Sequence, residues 1–310
     1  MSAGDIPEAD RIDGVPHPRH TAQLFGQHAA EADFRAALAG GRLHHGWLLT
    51  GPRGVGKATL AWRLARALLA FGTGATTLDV PADHPVARRM AALSEGRLLL
   101  LRRAWDPEKK RLPARIGVDE ARRLQEFLTL SAADGGWRAV IVDAADDLTP
   151  EAANALLKLL EEPPPRTVLF LVCHRPAALL PTIRSRCRPL ALAPLGAGDM
   201  GRALDQAGVA VEDTAAVAEL AHGSVGAAVG LVTLEGTALY ARLVGLLSGL
   251  PRVDRTGLLA VAQAMGGRGA EDRRDLVFDL LGQWLMRAAR TGAGHPPPAE
   301  AAPNEAALCA

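Results

Sequence analysis

The chain is poor in cysteine, in aromatic residues and in net charge. Its three cysteines, Cys173, Cys187 and Cys309, are widely spaced, and so few cannot build a disulfide framework or a four-thiolate zinc site. The 35 Lys and Arg residues nearly balance the 34 Asp and Glu residues, which leaves a formal net charge of +1. This balance gives no global argument for binding to nucleic acid or to a membrane surface.

Long apolar runs are also missing. No stretch approaches the ~20 apolar residues that a membrane-spanning helix needs. The first twenty residues contain several acids and no apolar run, which argues against a signal peptide. We therefore expect a cytoplasmic protein with no membrane partner. A length of 310 residues exceeds one ordinary core and predicts two or three domains.

Hydrophobic periodicity divides the chain into five segments. Residues 21–195 alternate short apolar runs with helical periodicity, which predicts an α/β domain with a parallel sheet. Beyond it, Ala-rich helical patterns with Gly breaks predict a small helical domain at 196–235 and an all-α C-terminal domain at 236–290. The polar residues 1–20 and the Pro- and Ala-rich residues 291–310 are predicted to be disordered.

Elements can be predicted within the first domain. The expected strands are Gly46–Thr50, Arg97–Arg103, Arg138–Asp143 and Thr167–Cys173, and the expected helices include Lys57–Phe71, Asp119–Ser131 and Pro150–Glu162. The last helix has the clearest limits. Thr149 is a suitable N-cap, Pro150 suits the first helical position, and Pro163 forbids continuation.

A glycine-rich loop joins the first predicted strand to the helix that follows it. It reads Gly51-Pro52-Arg53-Gly54-Val55-Gly56-Lys57-Ala58. In a phosphate-binding loop the backbone N–H groups turn around phosphate oxygens, the helix N-terminus adds positive charge, and the lysine reaches the outer phosphates. We predict that Gly51, Gly54, Gly56 and Lys57 form such a site. A plain glycine-rich turn is the alternative, but the fit of the first seven positions, between a strand and a helix, argues against it.

The last position of this loop departs from the pattern. A Ser or Thr hydroxyl there ligates Mg²⁺ in active phosphate-loop enzymes, whereas this chain has Ala58. Thr59 lies about 100° further round the helix and is not placed to substitute. Nucleotide could still bind through Lys57 and the backbone, but metal-assisted hydrolysis is in doubt.

A carboxylate at the end of a later strand shows a second departure. Asp143 ends the predicted strand Arg138–Asp143 and fits the Mg²⁺-holding acid of a phosphate-loop ATPase. The next residue is Ala144, where a glutamate would polarise the attacking water. Loss of a general base lowers a rate by ~10²–10⁴-fold. Two defects in one site predict that hydrolysis has been lost and that ATP is bound weakly or not at all.

Two further segments carry a family resemblance. They are Asn154-Ala155-Leu156-Leu157-Lys158-Leu159-Leu160-Glu161-Glu162-Pro163-Pro164 and Ile183-Arg184-Ser185-Arg186-Cys187. With the loop and the strand ending at Asp143, they resemble the clamp-loader branch of the AAA+ ATPases, which includes the bacterial tau/gamma and delta-prime subunits, over about residues 21–235. The resemblance implies an AAA+ sheet domain, a helical lid at 196–235 and a collar domain at 236–290.

Within that branch the chain resembles a non-motor member. Active motor subunits carry Lys-Thr and Asp-Glu where this chain has Lys57-Ala58 and Asp143-Ala144, so the likeness is to the delta-prime type. The family's second sensor arginine is replaced by Gly226. Residues 72–110 contain no cysteine, so the four-cysteine zinc module of many members is not expected. The region after residue 236 is shorter than the resemblance leads us to expect for a collar.

The resemblance also assigns a role to Arg186. In the family, the Ser-Arg-Cys segment supplies an arginine finger to the ATP site of the neighbouring subunit, which is worth roughly 10³–10⁵ in rate. The implied partners are tau/gamma ATPase subunits, a delta subunit and, through the complex, a sliding clamp and primed DNA. The alternative is that Arg184, Arg186 and Arg188 form a solvated basic ridge along an extended segment.

Two other functions compete with this interpretation. An active, motor-type AAA+ clamp-loader ATPase is disfavoured by Ala58, Ala144 and Gly226. A small-molecule phosphotransferase would need a substrate lid and acids that the chain lacks, and it leaves the segment ending in Glu161 and Glu162 without a role.

Several charged residues have open assignments. Glu161 and Glu162 are either exposed and tolerated or meet a partner's cation. Asp146 and Asp147 are expected to shape the loop into the next helix, and His44 and His45 are assigned to a loop or an adenine pocket. The basic positions could face a DNA backbone, but the interleaved acids favour a solvated surface; these positions are Arg102, Arg103, Lys109, Lys110 and Arg111.

Overall fold

The computed structural model describes residues 7–309, except 13, 22, 42, 130–134, 253 and 267–269. The chain divides into two compact units, one up to Ala193 and one from Pro194 onwards. The predicted sheet domain ends two residues beyond this boundary. The residues predicted as a lid, a C-terminal helical domain and a tail all belong to the second unit.

A five-stranded parallel sheet forms the centre of the first unit. Its strands are β1 (Gly46–Thr50), β2 (Leu98–Arg102), β3 (Arg138–Asp143), β4 (Thr167–Val172) and β5 (Arg188–Ala191), in the order β2-β3-β4-β1-β5. Every residue of β3 and β4 is buried, because their continuous runs of Val, Leu and Ile suit strands covered on both faces. This confirms the predicted α/β class.

Six α-helices accompany the sheet in the described part of this unit. They are α1 (His28–Ala39), α2 (Lys57–Phe71), α3 (Pro85–Ala91), α4 (Val118–Thr129), α5 (Pro150–Glu161) and α6 (Pro181–Ser185). The predicted start signal of α5 is present, because the Thr149 side chain accepts a hydrogen bond from the Ala152 N–H at 3.3 Å. On one side of the sheet Phe34 of α1 packs edge-on against Trp47 and tilts against Phe170.

The N-terminal segment, predicted to be disordered, differs in the structure from residue 7 onwards. Arg102 at the end of β2 contacts the carboxylates of Glu8, at 2.7 Å, and of Asp10. His17 lies 3.1 Å from Asp10 and packs edge-on against Trp62 of α2. The acids that made this segment resemble a solvated leader are the groups that attach it to the sheet edge.

The described residues of the second unit contain helices and no strand. The helices are α7 (Ala197–Gln206), α8 (Thr214–Leu220), α9 (Val225–Thr233), α10 (Gly236–Ser248), α11 (Arg255–Ala264), α12 (Glu271–Gly292) and α13 (Glu305–Cys309). Across the described residues no single helix is long and apolar enough to cross a membrane, and only α8 and α9, bent by 113°, reach that length and apolarity together.

The tail at 291–310, also predicted to be disordered, is attached to this unit in the structure. Glu305 is buried and accepts hydrogen bonds from Arg287 at 2.5 Å and from Tyr240 at 2.5 Å. Arg287 also contacts Glu219 of α8 at 3.2 Å. A buried carboxylate held by two donors fixes the segment despite its low-complexity composition.

Candidate functional site

The parallel sheet brings the two predicted nucleotide motifs to one edge. The glycine-rich loop follows β1 and Asp143 ends β3, and β4 lies between these strands. Because the carboxyl ends of parallel strands share an edge, the loop and Asp143 face the same end of the sheet, where ligands of open α/β sheets bind. We call this end the carboxyl edge.

The loop adopts a backbone conformation that requires its glycines. Gly51, Gly54 and Gly56 have φ angles of +138°, +74° and +101°, a region that other residues rarely occupy. A Cβ atom on Gly51 would approach the Leu192 carbonyl oxygen to 2.4 Å, and one on Gly56 would approach Leu24 Cδ1 to 2.6 Å. The observed conformation of the loop therefore depends on glycine at these three positions.

Lys57 is turned into this loop and is nearly inaccessible, with 3% of its surface exposed. Its Nζ donates hydrogen bonds to the carbonyl oxygens of Gly51, at 2.7 Å, and Pro52, at 2.5 Å. Burial lowers the pKa of Lys57 to about 8, although Asp143 and Asp146 oppose the shift. The ammonium is still protonated at pH 7, and a phosphate would compete with two carbonyls for it.

Asp143 is buried at the end of β3, on the same carboxyl edge as the loop. Burial raises the pKa of Asp143 to about 7, and the nearby Asp10 raises it further, while Lys57 opposes the shift. Both members of the Lys57–Asp143 pair are thus shifted toward their neutral forms, which means that burial outweighs their mutual attraction.

The donor set of this edge does not fit a magnesium ion. Mg²⁺ requires near-octahedral oxygen ligands, but Ala58 offers no ligand atom and Ala144 is a buried methyl group beside Asp143. The side chain of Asp146 already accepts the His174 N–H at 2.9 Å. Among the described residues no group of three or more His, Cys, Asp or Glu side chains could hold a metal ion.

Asp146 and Asp147 lie in the short 3-10 turn Ala145–Asp147 between β3 and α5. Asp146 ties this turn to the end of β4 through His174, and Asp147 lies 3.4 Å from Arg103. Their contacts agree with the predicted role of shaping the loop.

Sequence reasoning missed His174 at this edge. Its Nδ1 is buried without a hydrogen-bond partner in the described part of the chain. Burial lowers the pKa of His174 to about 4, and the positive charge of Lys57 adds to the shift. The available signal was positional, because His174 follows the strand that the sheet order places between the two motifs.

Arg186 lies at the opposite end of the same sheet, which we call the amino edge. It follows α6 directly, and β5 begins two residues later, where Arg188 pairs in register with Trp47 near the start of β1. The five residues of β1 separate this edge from the loop by about 17 Å, at ~3.3 Å per residue. The structure therefore does not bring Arg186 together with Lys57 and Asp143.

The Arg186 side chain is 37% exposed and is held from two sides. Its Nη2 lies 2.9 Å from Glu161 Oε1 at the end of α5, and its Nη1 donates to the Thr182 carbonyl oxygen at 3.1 Å. The sequence predicts that Glu161 is either exposed or in contact with a partner's cation. It does not predict a contact with a cation of the same chain.

The basic ridge suggested for three arginines is wrong in its geometry. Arg184 belongs to α6, Arg186 caps that helix, and Arg188 begins β5, so the three do not lie on one extended segment. Arg188 instead packs over the ring of Trp47, 5.1 Å from its centre. A change from helix to strand within five residues removes the alternation on which the ridge depended.

His44 and His45 also lie at the amino edge, directly before β1, with their rings stacked 4.4 Å apart. His45 Nε2 lies 3.0 Å from the carbonyl oxygen of Leu160 in α5. The assignment to a loop agrees with this position. The alternative assignment, to an adenine pocket beside this chain's own glycine-rich loop, is wrong because that loop lies at the carboxyl edge.

Sequence comparisons with known proteins agree on one family. A family model described as "DNA polymerase III, delta subunit" matches residues 26–196. The DNA polymerase III subunit delta' of Pseudomonas aeruginosa is 31% identical over 83% of this chain and 75% of its own length. The delta' subunit of Escherichia coli K12 is 36% identical over 51% of this chain and 45% of its own length.

A gamma/tau subunit is also similar, over a smaller share of its length. The protein of Mycobacterium tuberculosis H37Rv is 33% identical over 63% of this chain, but this chain spans only 33% of that relative. The delta' relative of P. aeruginosa, by contrast, is matched over most of both chains. On the family model and this relative, the chain belongs to the family of DNA polymerase III delta-prime subunits.

Proposed function

We propose that this chain is the non-hydrolysing, activating subunit of a clamp-loading complex of DNA polymerase III. It works in the cytoplasm beside tau/gamma ATPase subunits and a delta subunit. The complex places a sliding clamp on primed DNA, and Arg186 of this chain completes the ATP site of a neighbouring subunit. Similarity to delta' and gamma/tau subunits of DNA polymerase III supports the choice of partners.

This proposal rests on one observation: the two edges of the sheet differ in the functional side chains that they present. The carboxyl edge keeps the glycine loop and Lys57 but lacks a metal ligand at Ala58 and a general base at Ala144. The amino edge keeps a partly exposed arginine, Arg186, about 17 Å away along β1. A chain of this kind cannot complete its own site with Arg186, but a neighbour packed against its amino edge could receive it.

An arginine suits this task for chemical reasons. The planar guanidinium presents several N–H donors in a fixed fork that matches two phosphate oxygens, and its charge does not titrate. As negative charge builds on the transferred phosphoryl group, the fork stabilises it without reorganisation. Arg186 is the catalytic residue that the chain donates.

The chain's own loop has a different role in this proposal. ATP binds there weakly or not at all, because Lys57 is occupied by the carbonyls of Gly51 and Pro52 and no residue replaces the missing magnesium ligand. The folded loop then serves as a rigid part of the sheet domain. Isolated chain that hydrolysed ATP at a rate typical of motor subunits would contradict this role.

The test is a reconstitution with motor subunits, delta, clamp and primed DNA, in which steady-state ATP turnover is measured. Arg186→Ala should abolish the share of turnover contributed by the adjacent site, since an arginine finger is worth roughly 10³–10⁵ in rate there. Arg184→Ala is the matched control, because it removes the same charge two residues away from an exposed position.

Assembly of each variant complex is checked by gel filtration. Loss of turnover in an assembled Arg186→Ala complex, together with normal turnover in Arg184→Ala, supports the proposal. Equal turnover in wild type and Arg186→Ala would reject the finger and leave a scaffold at most.

A further inference from the structure

The end of α5 meets the guanidinium of Arg186. Glu161 is the last residue of that helix, and its carboxylate lies 2.9 Å from Arg186 Nη2. The helix dipole disfavours an acid at a C-terminus, so the helix itself gives no reason for a glutamate there. The reason is the neighbouring cation Arg186, which neutralises the acid at a position that the helix dipole alone would make unfavourable.

The backbone around this contact is fixed. His45 Nε2 lies 3.0 Å from the Leu160 carbonyl oxygen, which is an acceptor, so His45 donates and satisfies one of the free carbonyls at the end of α5. Burial lowers the pKa of His45, and its neighbour His44 adds to the shift, so the ring is neutral at pH 7. The position of Glu161 is therefore set by a hydrogen bond from the residue that precedes β1.

Close packing fixes the backbone of Arg186 against the same strand. A Cβ atom on Gly46 would lie 2.8 Å from Leu160 Cδ2, 3.2 Å from Cys187 Sγ and 3.3 Å from the Arg186 carbonyl oxygen. Glycine at this position lets the Leu160 side chain, Cys187 and the Arg186 backbone lie close to β1 without rearrangement. The acid and the arginine are thus both positioned by the start of β1.

We propose that Glu161 is a positioning residue for Arg186. Its carboxylate pairs with Nη2 at 2.9 Å, while the Thr182 carbonyl oxygen accepts a hydrogen bond from Nη1. The side chain is still 37% exposed, so its N–H fork can also meet an anionic oxygen outside the chain. Orientation before the reaction is what makes a donor effective. This inference rests on the proposed function of Arg186 and names the residue that orients it.

The experiment uses the full reconstituted complex with Glu161→Ala and Glu161→Gln. Since both partners are partly exposed, at 37% and 45%, the pair is a surface ion pair, and we expect a roughly two- to fivefold fall in kcat for Glu161→Ala. Glu161→Gln keeps an acceptor oxygen and should fall less. KM for ATP should stay unchanged in both, because substrate binding by the motor subunits is untouched.

Glu162→Gln is the matched control. It removes the same charge one residue further along, from an exposed side chain, and should behave as wild type. A second control is the double variant Arg186→Ala, Glu161→Ala, which should be no slower than Arg186→Ala alone if Glu161 acts only through Arg186.

The outcomes separate the two proposals. If Arg186→Ala has no effect, the proposed function fails. If Arg186→Ala abolishes turnover at the adjacent site while Glu161→Ala matches wild type, only the positioning role fails. A rise in kcat for Glu161→Ala, a change confined to KM, or an equal loss in Glu162→Gln would each overturn it. Gel filtration and thermal melting of each variant separate a folding defect from a change in rate.

Discussion

The two edges of the parallel sheet differ in the functional groups that they carry. At the carboxyl edge the phosphate loop keeps its backbone shape, but Ala58 and Ala144 stand where the reaction needs polar groups. At the amino edge Arg186 keeps a partly exposed charge, an ion pair with Glu161 and a hydrogen bond to the Thr182 carbonyl oxygen. On the proposed function, the carboxyl edge no longer hydrolyses ATP, while the same sheet still presents Arg186 at the amino edge.

The carboxyl edge persists because it is stabilised by its own atoms. Lys57 donates to the carbonyls of Gly51 and Pro52, so the loop satisfies its lysine without a phosphate. Asp146 likewise satisfies the His174 N–H without a metal ion. Substitutions that remove catalytic groups, such as a hydroxyl or a carboxylate replaced by a methyl, leave these contacts intact. A site can therefore lose its chemistry and keep its fold.

After Arg186→Ala, the largest effect is expected from Arg186→Lys. This change keeps the charge at the amino edge but replaces the planar fork by a single point donor, which cannot meet two phosphate oxygens. We expect a loss of ~10² or more in the turnover of the adjacent ATP site, compared with the 10³–10⁵ of an absent finger. ATP turnover of the reconstituted complex measures it. Wild-type turnover in Arg186→Lys would mean that charge alone is sufficient and that the fork has no role.

Gly46→Ala tests the packing on which the amino edge depends. The added Cβ would lie 2.8 Å from Leu160 Cδ2 and 3.3 Å from the carbonyl oxygen of Arg186, so the end of the Leu160 side chain must turn away and the backbone at Arg186 must give by a few tenths of an ångström. We expect the free energy of unfolding of the first unit to fall by about 1–3 kcal/mol. Urea denaturation followed by tryptophan fluorescence measures the change.

Gly96→Ala serves as the control for that substitution. A Cβ atom on Gly96 meets nothing within 4 Å and its φ is not positive, so the change should stay within ~0.5 kcal/mol. Equal stability of Gly46→Ala and Gly96→Ala would show that the amino edge tolerates expansion, and the positional argument for Arg186 would lose its basis.

Asp143→Asn tests the electrostatics of the carboxyl edge. The pKa of Asp143 is raised from 3.8 to about 7, so its contribution to stability is full below pH ~4 and is lost as pH rises through 7. The whole shift corresponds to ~4 kcal/mol at 1.36 kcal/mol per unit. Because Asn also removes the attraction to Lys57, we expect the stability of the variant relative to wild type to increase by about 1–2 kcal/mol as the pH rises from 5 to 8.

Asp146→Asn should show the opposite sign. Burial would raise the pKa of Asp146, but the hydrogen bonds from His174 and Arg175 outweigh it and the net shift is downward. Its contribution is therefore present above pH ~4 and is lost only as pH falls below that. Urea denaturation at pH 5 and pH 8 compares the two variants. If both lose stability equally at pH 8, burial does not dominate at Asp143.

Much of this comparison was accessible from the sequence. Strands of uniformly apolar residues were located well: β1 and β3 have the predicted bounds, and α2 runs from Lys57 to Phe71 as expected. β5 was missed because Arg188–Ala191 is four residues long, contains a proline and buries only Leu190, so it has no apolar run. This strand forms by pairing with the edge of β1 in the folded sheet, which the local sequence does not indicate.

The contacts of charged residues were less predictable. Nothing local in the sequence indicates that Asp10 meets Arg102, 92 residues away, or that Glu305 meets Arg287 inside the second unit. The low hydrophobicity of these terminal segments favours disorder by composition, and specific ion pairs overrode it. The position of Glu161 beside Arg186 has the same origin, since the sheet order brings the end of α5 and the start of β5 to one edge.

The smallest effect is expected where the carboxyl edge continues into the basic segment after β2. Arg102 is neutralised by Glu8 and Asp10, Arg103 faces Asp147, and Lys109 faces Asp106. Three of the five cations that a DNA backbone would need are therefore occupied within the chain, and only two are left to contribute.

The double variant Lys110→Ala, Arg111→Ala removes the two cations that remain. For duplex DNA, removing one cation that binds a phosphate should reduce the slope of log affinity against log salt by ~0.9. If the segment is a solvated surface, the affinity of the reconstituted complex for primed DNA changes less than about twofold and the slope stays constant. A slope reduced by about one to two would instead show that these residues touch phosphates, and the carboxyl edge would then have acquired a use of its own beside the lost ATP site.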